Sequence, residues 1–228
     1  MKILDSLPVC QLQLTTDGSH TLFLPELDEH YHSTNGAIRE AQHVYIEAGF
    51  NQCPKDVIHV LELGFGTGLN ALLTALESQQ RQVKAVYTTL EKYPLPPDIV
   101  TQLNYNEIES NLFQQIHTAE WEKCVPLTDF FTLQKINTDF NDWVGAQNFV
   151  PLRESFDVVY YDAFAPGKQT EVWSQSLFDK IYAQLNPGGI LTTYCAKGTI
   201  RRMMQAAGFL VERIPGPPGK REMLRARN

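Results

Sequence analysis

The sequence predicts a doubly wound α/β domain on a mostly parallel sheet, preceded by a small N-terminal hairpin-and-helix extension. Two observations carry this. From Val57 onward, short apolar runs alternate with stretches of helical periodicity, the rhythm of parallel strands joined by right-handed crossover helices. Before that point, Asp17-Gly18 separates Gln11-Leu12-Gln13-Leu14 from Thr21-Leu22-Phe23-Leu24, the pattern of an antiparallel hairpin. The 228 residues are 43% hydrophobic and 20% charged, which suits one core with an appendage and excludes two large domains.

Taken in order, residues 1–50 form the extension and 51–228 the main domain. After Asn35-Gly36, the spacing of Ile38, Ala41, Val44 and Tyr45 predicts a helix that stops at Gly49. Val57 to Leu63 is a short apolar run of the kind buried on both faces of a parallel sheet. Leu69 to Leu76 reads as a helix, Val83 to Glu91 as the second strand and Phe131 to Ile136 as a third, within a mixed region from Leu95 to Phe149. Asp157 to Asp162 reads as a later strand and Val172 to Leu185 as a helix. Pro187-Gly188-Gly189 breaks that helix before a strand from Ile190 to Tyr194, and a last helix runs from Thr199 to Ala207 until Gly208.

The chemistry concentrates where the first strand meets the first helix, in Glu62-Leu63-Gly64-Phe65-Gly66-Thr67-Gly68-Leu69-Asn70. Such sheets open their ligand crevice at this point. Glycines let the backbone approach a ligand, and the following helix offers free N–H groups. A dinucleotide fingerprint would need glycine where Leu69 stands. The Gly-x-Gly-x-Gly spacing, with Glu62 before it, instead resembles the first motif of class I S-adenosyl-L-methionine-dependent methyltransferases, which are Rossmann-like. Glu91 ends the second strand, where a carboxylate can accept from both hydroxyls of an adenosine ribose. Asp139, with Asn141 and Asp142 as near competitors, is the candidate acceptor for the adenine amino group. Asp162 follows a buried strand and is followed by Ala163-Phe164-Ala165-Pro166, so its charge must be solvated or partnered. It suits an acceptor that orients an amine or takes its departing proton, and Phe164 suits stacking on a base. Capping a turn is the alternative role for Asp162.

Charge narrows the partners. The chain carries 19 basic and 26 acidic residues, net -7. Residues 197–228 hold eight of the bases against two acids, +6, which leaves -13 on the first 196. A polyanion would therefore be held at the basic C-terminal end; charge alone is equally consistent with a solvated tail. The four cysteines form no Cys-x-x-Cys pair, so neither a disulfide scaffold nor a zinc site is expected. The two histidines of His30-Tyr31-His32 are read as polar residues at the surface that bind no metal, Cys195 as a small hydrophobe and the three tryptophans as core or edge aromatics. No stretch reaches the roughly 18 apolar residues of a membrane span, and Met1 to Ser6 meets an acid before a leader could form. The expected compartment is the cytoplasm, with no membrane contact.

Four blocks occurring in order, Glu62–Asn70, Leu90-Glu91-Lys92-Tyr93-Pro94-Leu95, Asp162–Pro166 and Gly219-Lys220-Arg221-Glu222-Met223, together resemble the methyltransferase family of MnmC and its stand-alone MnmD form. Tyr31, Gly36 and Glu40 fit the same pattern before the core, and the likeness runs over roughly residues 30 to 225. Thr170, Val172 and Gly216-Pro217-Pro218 depart from it. The resemblance implies methylation of 5-aminomethyl-(2-thio)uridine at the wobble position of tRNA, with S-adenosyl-L-methionine as donor. It implies cofactor contacts from Glu62, Gly64, Phe65, Gly66, Thr67, Gly68, Asn70, Glu91 and Asp139, with Asp162 catalytic. Under this reading Arg201, Arg202, Lys220, Arg221 and Arg225 would contact phosphates of the anticodon stem-loop, with the flipped-out uridine near Asp162, Phe164 and Pro166. Bifunctional relatives add a flavin-dependent oxidase for which this chain has no room, so no flavin is expected. Two rivals remain: a polyamine aminopropyltransferase, and a catalytically silent S-adenosyl-L-methionine-binding module.

Overall fold

The computed structural model describes residues 9–145 and 155–228; Met1 to Ser6, read above for a leader, and the end of the mixed region from residue 146 lie outside the described residues. In the extension, β1 (Gln11–Leu14) and β2 (His20–Leu24) pair antiparallel as expected, and β3 (Glu29–His30) adds a short third strand. Asp17 closes the β1–β2 loop by accepting from Thr15 Oγ1 at 2.7 Å and Ser19 N at 3.1 Å. Its other oxygen accepts from Arg39 N at 3.0 Å, which fastens the hairpin to the next helix. That helix, α1 (Ala37–Ala41), runs on as a π-wound segment (Gln42–Glu47), where uniform α winding was expected.

The main sheet contains β4 (Val57–Leu63), β5 (Lys84–Glu91), β6 (Cys124–Thr128), β7 (Phe131–Asn137), β8 (Phe156–Tyr161), β9 (Leu185–Thr193), β10 (Leu210–Pro215) and β11 (Glu222–Arg227). Its order is β10-β11-β9-β8-β4-β5-β7-β6. The five central strands, from β9 to β7, are parallel, while β6, β10 and β11 pair antiparallel with their neighbours. The chain leaves β4 toward β5 and later returns to its other side with β8, so the carboxyl ends of β4 and β8 form the switch point at which such sheets bind ligands.

Alternation along the strands separates two cores. Ile58 and Val60 of β4 and Val158 and Tyr160 of β8 pack under the extension helix, α2 (Leu69–Arg81), α3 (Pro97–Val100) and α4 (Ser110–Thr118). Leu61, Leu63, Val159 and Tyr161 face the opposite layer of α5 (Phe140–Gly145), α6 (Gln175–Gln184) and α7 (Gly198–Ala207). Val44, Tyr45 and Ile46 of the extension helix are buried in the first of these cores.

Several boundaries differ from expectation. The first helix of the sheet continues past Leu76 to Arg81, and its last turns, exposed at Gln79 and Gln80, lack the apolar periodicity that marks its start. Helix α6 starts at Gln175, where Ser174 caps it by accepting from Leu177 N; the expected first turn at Val172 is a separate 3-10 turn. Pro187-Gly188-Gly189 does not precede a strand: β9 begins at Leu185, and the register slips between Phe156 and Val158 of its partner β8, so these residues form a bulge. The basic C-terminal segment is no solvated tail. It contributes α7 and the β10–β11 hairpin, with β11 inserted beside β9.

Candidate active site

A cavity of about 350 Å³ opens at the carboxyl ends of β4, β5 and β8, within the range of small-molecule sites. Its floor is the glycine loop. Gly64, Gly66 and Gly68 all have positive φ, at 97°, 50° and 73°. A Cβ at Gly64 would lie 2.8 Å from Asp162 O, and one at Gly66 would lie 3.0 Å from the Tyr31 ring. The loop thus threads between the end of β8 and an aromatic from the extension, with no space for side chains. Gly64, Phe65, Gly66, Thr67 and Asn70 line the cavity. Gly68 does not; it caps α2 in a left-handed conformation against His117.

The acids take distinct positions. Glu91 lines the cavity, and its two oxygens accept from Gly66 N at 3.0 Å and Tyr93 N at 2.8 Å. Asp139 also lines it, paired with Lys92 at 2.9 Å and accepting from Asn141 N, which holds its carboxyl below the usual range despite partial burial. Of its two competitors, Asn141 reaches the cavity and Asp142 does not. Glu62 stands behind Asn70, fully buried, accepting from Asn70 Nδ2 at 3.0 Å and Thr89 Oγ1 at 2.8 Å. Burial pushes its carboxyl up to about 8 against those hydrogen bonds.

Asp162 is half-buried in the cavity wall. Tyr45 donates its hydroxyl hydrogen to Oδ1 at 2.5 Å, and Asn70 Nδ2 donates to Oδ2 at 2.8 Å. Desolvation raises the carboxyl to about 7, with nearby Glu40 adding to the rise and Tyr45, Asn70 and Lys220 opposing it. One amide therefore holds two carboxyl groups whose proton affinities lie in the neutral range.

The chain belongs to the S-adenosyl-L-methionine-dependent methyltransferases. A profile with that description matches residues 104–228, more than half of the chain. Over 211 residues the chain is 30% identical to the tRNA 5-methylaminomethyl-2-thiouridine biosynthesis bifunctional protein MnmC of Cupriavidus necator, covering 88% of this chain and 32% of that protein. It thus spans about a third of that relative's length. Among solved structures it is similar to MnmC2 from Aquifex aeolicus, with TM-score 0.75 and 24% identity over 97% of this chain and 71% of that one. The last likeness bears on fold, and agrees with the class I methyltransferase architecture described above.

The cavity of this methyltransferase fits its cofactor. Asn70 Oδ1 is buried without a hydrogen-bond partner among the described residues, on a side chain that lines the cavity. An unmet buried acceptor costs about 1–3 kcal/mol, and the ammonium of a bound amino-acid moiety offers the missing donor. The glycine cradle and the Glu91 carboxylate supply the remaining features.

Sequence reasoning missed part of the wall. Leu24, Leu27, Tyr31 and His32 of the extension line the cavity, with Tyr31 against Gly66 and His32 on Thr67 of the glycine loop, and Tyr31 meets the Phe164 ring edge-on at 5.1 Å. His32 corrects the surface reading: it is buried, its Nε2 lies 2.6 Å from Thr67 Oγ1, and desolvation lowers its pKa to about 4, so it is neutral. Lys135 lies buried behind Phe65, donating to His117 O at 2.7 Å beneath the Trp121 ring. Neither residue carries a local motif; their contacts come from distant segments.

The expected RNA-facing residues are placed apart. Phe164 lines the cavity, whereas Pro166, Lys220 and Arg221 line an adjoining shallow recess with Lys197 and Tyr194. Arg201 and Arg202 lie on α7 and line neither. Lys220 pairs with Glu40, Arg225 with Glu212 and Arg213 with Glu222. Among the described residues, no helix is long and apolar enough to cross a membrane, and no group of three metal-ligating side chains occurs.

Proposed function

We propose that this enzyme methylates the exocyclic amine of 5-aminomethyl-(2-thio)uridine at the tRNA wobble position, in the cytoplasm. The observation that carries this reading is the Asp162 carboxyl at the cavity wall, held on both oxygens and next to the glycine loop. When bound, S-adenosyl-L-methionine supplies a methyl group activated by a sulfonium, open to in-line attack by an amine lone pair. Gly64, Phe65, Gly66, Thr67, Asn70, Glu91 and Asp139 hold that cofactor, with Glu62 behind Asn70 and Gly68 turning the loop into α2. Asp162 accepts an N–H of the amine and takes the proton it sheds.

The uridine is turned out of its stack past Phe164. The loop from Asp162 to Pro166 places the cavity on one side and the basic recess on the other, so Lys197 and Arg221 are positioned for flanking phosphates, with Arg201 and Arg202 further along. Lys220 has its ammonium committed to Glu40 and serves mainly to hold the recess wall. The name of the Cupriavidus necator relative points to the same nucleoside.

The test is transfer of labelled methyl from S-adenosyl-L-methionine to tRNA from cells lacking this modification, followed by digestion to nucleosides. Label in 5-methylaminomethyl-(2-thio)uridine supports the reading. Label in another nucleoside, aminopropyl transfer to putrescine from the decarboxylated cofactor, or no transfer overturns it.

A further inference from the structure

Tyr45 has no part in the glycine motif, yet it reaches the reacting side of the site. It is 1% exposed and lies on the π-wound segment of the extension helix, a rare winding that concentrates at functional positions. Its ring rests 5.1 Å from that of Tyr160, two residues before Asp162 on β8. The strand that delivers the carboxylate thus also braces the phenol.

A carboxylate offers about four acceptor positions. Tyr45 takes one on Oδ1 and Asn70 one on Oδ2, which leaves one open on each oxygen of a side chain that lines the cavity. We propose that Tyr45 is a positioning residue for the methyl acceptor: with Asn70 it clamps Asp162 so that the remaining lone pairs meet the N–H groups of the incoming amine. This rests on the amine-methylating reading above, and gives the extension a role in the reaction.

The hydrogen bond also favours the charged carboxylate. The other groups around Asp162 are Glu40 from α1, Lys220 from the β10–β11 loop, Tyr194 after β9, Glu62 on β4 and Tyr87 on β5. A Tyr45→Phe substitution leaves all of these in place.

The experiment follows the Asp162 carboxyl by carbon-13 NMR, assigned against Asp162→Asn, together with steady-state kinetics. Tyr45→Phe is expected to raise the pH at which Asp162 titrates and to move the acidic limb of the rate profile with it. It lowers kcat by about tenfold to a hundredfold, as small misplacements do, and leaves the KM for cofactor unchanged. Tyr160→Phe, a control in the same core whose hydroxyl meets Thr74 at 3.1 Å, leaves the titration alone. Should Tyr45→Phe fail to fold, 3-fluorotyrosine at position 45 keeps the ring, strengthens the donor and moves the titration downward. An Asp162 titration indifferent to the group at position 45, or an unchanged kcat, overturns the proposal. Wild-type protein that does not methylate tRNA overturns the proposed function instead, since the titration needs no acceptor.

Discussion

Lys220 Nζ stands 2.7 Å from Glu40 Oε1, joining the loop between β10 and β11 to the helix of the extension. The Glu40 side chain is only 8% exposed, and its other oxygen accepts from Ser33 N at 2.8 Å. The lysine also lies 3.9 Å above the Tyr194 ring. Removing it leaves a buried carboxylate without its cation, so Lys220→Ala should lose about 1–3 kcal/mol in urea denaturation. The dependence of tRNA affinity on salt should barely change, in contrast to Arg221→Ala, which should reduce the slope by about one phosphate contact. A steep change in salt slope for Lys220→Ala would return that residue to the RNA-binding set.

The rate of methyl transfer should fall as pH drops through about 7, where Asp162 becomes protonated. In the proposed reaction the ionised form alone can take the proton that the amine sheds. Asp162→Asn should remove this limb and cost about 10²- to 10⁴-fold in kcat, leaving the rise that follows deprotonation of the acceptor itself. A pH–rate profile for both proteins checks this; an inflection near pH 7 that survives in Asp162→Asn assigns that step to another group.

Glu62 makes a prediction about stability. Its folded-state pKa of about 8 exceeds the unfolded value of about 4.3. The folded form therefore binds the proton more tightly, and the associated stability is fully present below about pH 4.3 and is lost as pH rises through about 8. Glu62→Gln stays neutral throughout. Wild type gives up this stability between those values while the variant does not, so the stability of Glu62→Gln relative to wild type should rise from pH 6 to pH 9. Denaturation at the two pH values measures this, and an equal gap at both would place the Glu62 titration outside that window.

How much of this was legible in the sequence follows from where the stabilising contacts lie. Strands β4 and β8 are buried on both faces, so their residues form apolar runs that stand out locally; the glycine loop and Asp162 are then found by counting from them. Strands β10 and β11 carry Glu212, Arg213, Glu222 and Arg225 on their exposed sides, satisfied across the hairpin, and such alternation of charge reads as a tail. The clamp on Asp162 was invisible because Tyr45 lies 117 residues away in the chain. Helical periodicity placed Tyr45 on a buried face, but gave no sign of π winding or of what its hydroxyl would meet. His32, 35 residues from Thr67, was misread for the same reason.

The most direct test of the account is a crystal structure of the protein grown with S-adenosyl-L-methionine. The account predicts the cofactor in the cavity over Gly64 to Gly68, with the ribose hydroxyls on Glu91, a donor on Asn70 Oδ1 and the transferable methyl group on the Asp162 side. A cofactor bound at another surface, or one leaving Glu91 and Asn70 untouched, would contradict it.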